Sequence, residues 1–187
     1  TDVLFTHLHF DHCGGATKRE GDKIIPVFNN ARFFCSKSHW EWATVSPNPR
    51  EKASFLQENL FPLMESGQLN LYDSDEDGVC PELGLDLLLV NGHTEKMALP
   101  KIKYKGKTIL FASDLVPTAG HIPVPYLMGY DVRPLVTMRE KERILKSVVD
   151  EDVLLFLQHD PVNEVVFVKN TEKGVRFDRS STIKELF

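Results

Sequence analysis

At 187 residues the chain has the length of one domain, and its 42% hydrophobic content is enough for a sizeable core. A net charge of −5 with no clustered Lys/Arg run argues against a nucleic-acid partner, and no apolar stretch approaches a membrane span or a signal peptide. Cys13, Cys35 and Cys80 form an odd, dispersed set without a C-x-x-C spacing, which points away from a disulfide framework and towards a reducing, cytoplasmic setting.

The chain opens on Val3-Leu4-Phe5-Thr6, which reads as a buried strand over residues 2–6. That strand runs straight into His7-Leu8-His9-Phe10-Asp11-His12, closed by Gly14-Gly15. Three imidazoles and a carboxylate at the end of a strand form a metal cradle, because neutral imidazole and carboxylate are the usual ligands of zinc-like ions. Starting without a methionine and directly on this strand, the chain reads as a fragment or a processed product.

Ala31–Ser36 is a second strand, and Lys37–Val45, with Trp40 and Trp42, a short helix. Pro49 suits the first turn of a helix running to about Glu65, which Gly67 would stop. Leu69–Tyr72 and Leu85–Val90 are apolar runs of strand length, the second leading into Asn91-Gly92-His93-Thr94. Leu99–Tyr104 and Thr108–Ala112 flank Lys105-Gly106-Lys107 as a hairpin, and the second strand delivers Ser113-Asp114. Thr118–Pro134, rich in Pro and Gly, is a structured loop. Thr137-Met138-Arg139-Glu140 has the form of a capping box opening a helix to about Val149, with a charged face expected in solvent. Val153–Gln158 is a buried strand ending at His159-Asp160, and Val165–Val168 with Val175–Asp178 makes a last hairpin. Strands, some in hairpins, thus mix with helices without strict βαβα alternation.

His93, Asp114 and His159 repeat the opening motif's placement, each at the C-terminal end of an apolar strand. Taken singly, His93 and His159 read as satisfied buried histidines, and Asp114 as a turn cap. Together with His7, His9, Asp11 and His12 they make seven candidate ligands, too many for one tetrahedral ion and right for two ions sharing a bridge.

These residues carry a resemblance to the metallo-β-lactamase-fold hydrolases. Thr6-His7-Leu8-His9-Phe10-Asp11-His12 matches the T-H-x-H-x-D-H signature, Gly92-His93-Thr94 the next histidine motif, Asp114 the bridging aspartate and His159 the final histidine. The resemblance spans about residues 2–160. It implies an α+β fold, a four-layer αββα sandwich of two mixed sheets flanked by helices, in a single domain over residues 1–187. The strands that usually precede the first motif are missing from it, so one sheet would have open edges. It also implies two divalent ions, zinc foremost with iron or manganese as alternatives: one on His7, His9 and His93, the other on Asp11, His12 and His159, with Asp114 and a hydroxide bridging them. That hydroxide would attack a small ester, lactone or thioester, and Asp11 would serve as the catalytic proton shuttle. Asp114 in place of the cysteine of several β-lactamases, and Glu95-Lys96-Met97 in place of P-G-H, point to a lactonase- or glyoxalase II-like branch. A phosphodiester or organophosphate hydrolase and a metal-binding but inactive fragment are the alternatives.

Outside the seven, His121, Tyr126 and Tyr130 are candidate substrate contacts in the Pro/Gly-rich loop, with plain loop packing equally open. His39, beside Trp40 and Trp42, reads as packing, and Cys13 as filling behind the site. The expected partner is a small molecule rather than nucleic acid or membrane, and the apolar Phe61–Met64 region leaves room for a homodimer.

Overall fold

The computed structural model describes residues 1–73 and 76–187. The first strand, β1 (Asp2–Leu4), leads through the histidine motif into a single helical turn, α1 (Phe10–Cys13), and then a small antiparallel hairpin of β2 (Thr17–Glu20) and β3 (Lys23–Pro26). β4 (Arg32–Ser36) follows, with α2 (Lys37–Thr44), α3 (Gln57–Glu65) and β5 (Leu69–Tyr72) after it. β1, β4 and β5 form a three-stranded parallel sheet in the order β1-β4-β5.

The rest of the chain builds a seven-stranded sheet from β6 (Gly78–Cys80), β7 (Leu85–Val90), β8 (Met97–Tyr104) and β9 (Lys107–Phe111), then, after helix α4 (Pro134–Asp150), β10 (Leu154–Phe156), β11 (Val165–Thr171) and β12 (Gly174–Ser181). Its order is β12-β11-β10-β9-β8-β7-β6, antiparallel except for the β9–β10 pair that α4 connects. The final turn, α5 (Ile183–Leu186), carries a complete capping box from Thr182 and Glu185.

Side-chain alternation along the strands dictates how these pieces stack. On β4, Phe33 and Cys35 face a core with Trp40, Ala43, Leu60 and Leu63 of α2 and α3, whereas Phe34 points the other way. Phe34 meets Tyr72, Cys80 and Leu87 in the seam between the sheets. On β7, Leu88 and Val90 turn outward to the core that Ile144, Leu145 and Val148 of α4 share with Leu99, Leu110, Leu155 and Val166. The layers therefore run helices, small sheet, large sheet, helix, which is the α+β sandwich the sequence implies. Elsewhere on the inner face of the large sheet, α5 packs on Ile109, Leu154 and Val165. Among the described residues no helix is long and apolar enough to cross a membrane.

Several local expectations are corrected. β1 ends at Leu4 because the backbone then leaves its sheet: Phe5 N still donates to Phe34 O (2.9 Å), but Thr6 O accepts from Ala98 N of β8 (2.9 Å). No helix runs from Pro49; residues 49–56 form a loop with one short 3-10 turn at Lys52–Ser54, and α3 starts only at Gln57. Glu51 is drawn into the interior there, a pull that outweighs helical propensity. Thr137 and Glu140 do not cap a helix start, since α4 begins at Pro134 and Thr137 lies buried within it. Lys141 of the same helix is not on a solvated face either: it is 0% exposed. The strand expected over residues 153–158 is reduced to Leu154–Phe156. The expected β8–β9 hairpin is present, with Lys105 (φ 45°) and Gly106 (φ 77°) in the left-handed conformations of a type I′ turn. The three cysteines are free and buried.

Candidate metal centre

All seven candidate ligands meet where the two sheets face each other at their strand ends. His7 leaves β1 where Thr6 is bonded to β8, and His9 forms the N-cap of α1, whose turn brings Asp11 and His12 round to the same side. Leu8, between the first two histidines, is fully buried. Its N–H donates to His39 Nε2 (2.9 Å), and His39 Nδ1 bonds Glu95 O. His39 is therefore a neutral structural ring, as its aromatic setting implied, and burial pushes its pKa down to about 4. Cys13 packs behind the motif, with Sγ 3.4 Å from Leu8 O.

His93 arrives on the turn after β7. That turn is held by α4: Glu140 accepts from Asn91 N (2.7 Å) and Gly92 N (3.0 Å), and Arg133 N donates to Gly92 O (2.8 Å). Gly92 is obligatory there, because a Cβ would lie 2.4 Å from Thr137 N. Asp114 follows β9 on a short turn whose first residue, Ser113, takes φ 45°. Non-glycine residues enter that region at a cost of about 1–3 kcal/mol, which is a mark of functional sites. His159 follows β10, with its backbone N–H on Pro117 O (3.3 Å).

Asp114 is the hub. Its Oδ2 lies 3.1 Å from His93 Nε2, 3.3 Å from His12 Nε2 and 3.8 Å from His7 Nε2, while Oδ1 lies 3.2 Å from His159 Nε2. His9 Nδ1 is 3.2 Å from His93 Nε2, and Asp11 Oδ2 is 3.4 Å from His12 Nε2 and 3.7 Å from His159 Nε2. Among the described residues three overlapping groups could each hold an ion: His7, His9 and His93; His7, His12 and Asp114; and Asp11, His12 and His159. His7, His9, His93 and Asp114 are buried, whereas the Asp11 and His159 side chains are 45% and 34% exposed.

This donor set fits a metal. Two of its atoms, His7 Nε2 and Asp114 Oδ1, are buried without a hydrogen-bond partner among the described residues, a costly arrangement unless a cation takes the lone pairs. Burial, reinforced by His12 and His9, holds the His7 pKa well below that of a free imidazole. Burial opposes the charge on Asp114, yet the hydrogen bonds of His12 and His93 overcome it and keep the carboxyl far below the usual range. For His93, burial is likewise outweighed by Asp114 and Asp131, which raise its pKa to about 9.

Each nitrogen that faces away from the cluster has its own neighbour. His7 Nδ1 has Thr6 Oγ1 at 3.1 Å, His9 Nε2 has Glu51 Oε2 at 3.1 Å, and His93 Nδ1 has Asp131 Oδ1 at 3.0 Å. The Gln158 amide lies 2.6 Å from His12 Nδ1. Sequence reading missed Glu51 and Asp131, because a partner 42 or 38 positions away leaves no local pattern.

A cavity of about 650 Å³ opens over His9, Asp11, His93, Asp114 and His159. Phe10, Arg50, His121, Met128 and Tyr130 are among its walls. His121 and Tyr130 thus line the cavity, but Tyr126 does not; its carbonyl accepts from Lys141 Nζ (2.7 Å) and its ring lies largely in solvent. Lys141 also donates to Pro123 O (2.9 Å), so one buried ammonium gathers the start of the cavity loop. Arg50 laces the opposite wall to that loop through Nε to Asp131 O (2.9 Å) and Nη2 to Gly129 O (2.6 Å).

Comparison with known proteins agrees with this geometry. No curated protein sequence matches the chain. Among solved structures it is similar to a probable metal-dependent hydrolase from Staphylococcus aureus, with 26% identity and TM-score 0.80 over 97% of this chain and 61% of that one. It also resembles AidC, a dizinc quorum-quenching lactonase solved with N-hexnoyl-L-homoserine (22% identity, TM-score 0.75, 98% of this chain and 65% of that one). A third likeness is to the hydrolase AbOPH of the beta lactamase superfamily (18% identity, TM-score 0.79, 96% and 64%). The last two speak to the fold alone, and the chain spans less than two thirds of all three. The model of the metallo-beta-lactamase superfamily matches residues 1–159, so the chain belongs to that superfamily.

Proposed function

We propose that the chain is a binuclear metal-dependent hydrolase of small esters, lactones or thioesters. The observation that carries this reading is Asp114, a buried carboxylate whose two oxygens address different histidines, Oδ2 towards His7, His12 and His93 and Oδ1 towards His159. In this reading His7, His9 and His93 would hold one ion and Asp11, His12 and His159 the other, with Asp114 standing between the two groups. Zinc suits the donors best, and iron or manganese would also be accepted. Such ions, when bound, supply Lewis acidity towards an acyl oxygen and lower the pKa of water towards about 7.

The chain's own residues do the rest. Asp11, half exposed at the cavity mouth, presents Oδ2 where it can take a proton and pass it to solvent. Phe10, Met128 and Tyr130 offer apolar wall to an acyl chain, and His121, fixed by Thr118 Oγ1 at 2.8 Å, offers a ring N–H to a substrate oxygen. The test is metal analysis of the purified protein, followed by turnover of lactones, thioesters and aryl phosphodiesters with zinc supplied. Two equivalents of metal and preferred lactone or thioester turnover are expected. Metal-free protein that zinc does not activate would sink the proposal, and preferred phosphodiester turnover would replace the substrate class.

A further inference from the structure

His9 and His93 face each other across the buried half of the centre, with His9 Nδ1 3.2 Å from His93 Nε2. They present different ring atoms, so they need opposite tautomers to offer lone pairs there. Glu51 Oε2 stands 3.1 Å from His9 Nε2, and Asp131 Oδ1 stands 3.0 Å from His93 Nδ1. An ionised carboxylate only accepts, so Glu51 requires the proton on Nε2 of His9 and Asp131 requires it on Nδ1 of His93. The outer half has no comparable support: His12 meets the neutral amide of Gln158, and Asp11 and His159 reach solvent.

We propose that Glu51 and Asp131 are positioning residues that lock these opposite tautomers, making the His7–His9–His93 group the tighter of the two metal sites. The inference rests on the metal reading above and adds its order of loading. The two carboxylates are not equivalent. Glu51 Oε1 is already committed to Trp42 Nε1 and Asn48 Nδ2, both at 2.6 Å, and an indole N–H can only donate. In Glu51→Gln the amide oxygen must stay on those two donors, which turns the NH2 towards His9 Nε2. That nitrogen must then accept, and the ring proton moves to Nδ1, which faces the metal site. Asp131 Oδ2 has no hydrogen-bond partner among the described residues. In Asp131→Asn the amide oxygen can therefore remain on His93, and the tautomer survives.

Nitrogen-15 spectra of the histidine rings and zinc competition against a chromophoric chelator test this. Metal-free wild type should show His9 protonated at Nε2, and two zinc sites of unequal affinity. Glu51→Gln should move the proton to Nδ1 and weaken the tighter site by about 10–100-fold, the usual effect of losing such a partner. Asp131→Asn, which keeps an acceptor on His93 but loses the charge, should leave the His93 tautomer in place and weaken the site less than Glu51→Gln does. Glu51→Ala, which frees the ring to choose, should fall between them and serves if the Gln variant does not fold. Wild-type His9 protonated at Nδ1, or Glu51→Gln binding its first zinc as tightly as wild type, would overturn the proposal and leave the hydrolase reading intact. A wild type that binds no zinc would overturn both.

Discussion

The two sheets contribute unequally to the body of the molecule and almost equally to its centre. The three-stranded sheet is small and parallel, and one chain end of it, just past β1, delivers His7, His9, Asp11 and His12. The seven-stranded sheet delivers His93, Asp114 and His159 from three separate strand ends. The first set is local in sequence and depends on one turn of helix. The second set depends on the register of three strands. Neither sheet holds a complete set, so the centre exists only where Phe34, Tyr72 and Leu87 press the two together and Thr6 O bonds Ala98 N.

Ligand replacement should sharpen that comparison most. His7→Ala and His93→Ala remove one ligand from each side, and each should cut kcat/KM on the best ester or lactone by more than about a thousandfold, given several kcal/mol of lost charge stabilisation. A much milder loss from one of them would mean that one sheet suffices. Next comes the seam. Phe34→Ala should lower stability by about 3–5 kcal/mol in urea unfolding, and should weaken zinc binding although Phe34 touches no ligand. Unchanged zinc affinity would uncouple the seam from the centre.

A third test touches only the larger sheet's side. Burial lowers the Lys141 pKa from 10.5 to about 8. The unfolded chain keeps that proton up to about pH 10.5, so the cost of burying the charge is full below pH 8 and is relieved as pH rises to 10.5. Wild type should therefore gain roughly 3 kcal/mol over that window relative to Lys141→Met, read as the difference of their urea midpoints. Parallel profiles would show that Lys141 is not held as described. The last is Gly92→Ala: its methyl must displace the Thr137 backbone, and a loss of about 3 kcal/mol, the top of the usual overpacking range, is expected in the same assay.

How much of this was legible in the sequence follows the same division. His7, His9, Asp11 and His12 could be picked out as candidate ligands, because they sit within one motif. His93, Asp114 and His159 could be read because each ends a strong apolar strand. Glu51 could not, since Pro49 and the residues after it have helical character and only the fold shows what draws Glu51 inward. Lys141 and Glu140 looked like solvated charges, yet helical spacing turns both towards partners on other segments. The β2–β3 hairpin was missed because Lys18, Arg19, Glu20 and Lys23 hide its alternation, although Gly21-Asp22 at its turn is a hairpin pair. Contacts between distant segments leave no period to detect, and that is where the support of the centre lies.

The Arg50 lacing has one more consequence. Its guanidinium is planar and rigid, and it spans Gly129 O and Asp131 O at once, while Lys141 anchors the other end of the same loop to α4. The loop's backbone freedom is thereby given up on folding, and a molecule settling against Met128 or Tyr130 has less of it left to restrict.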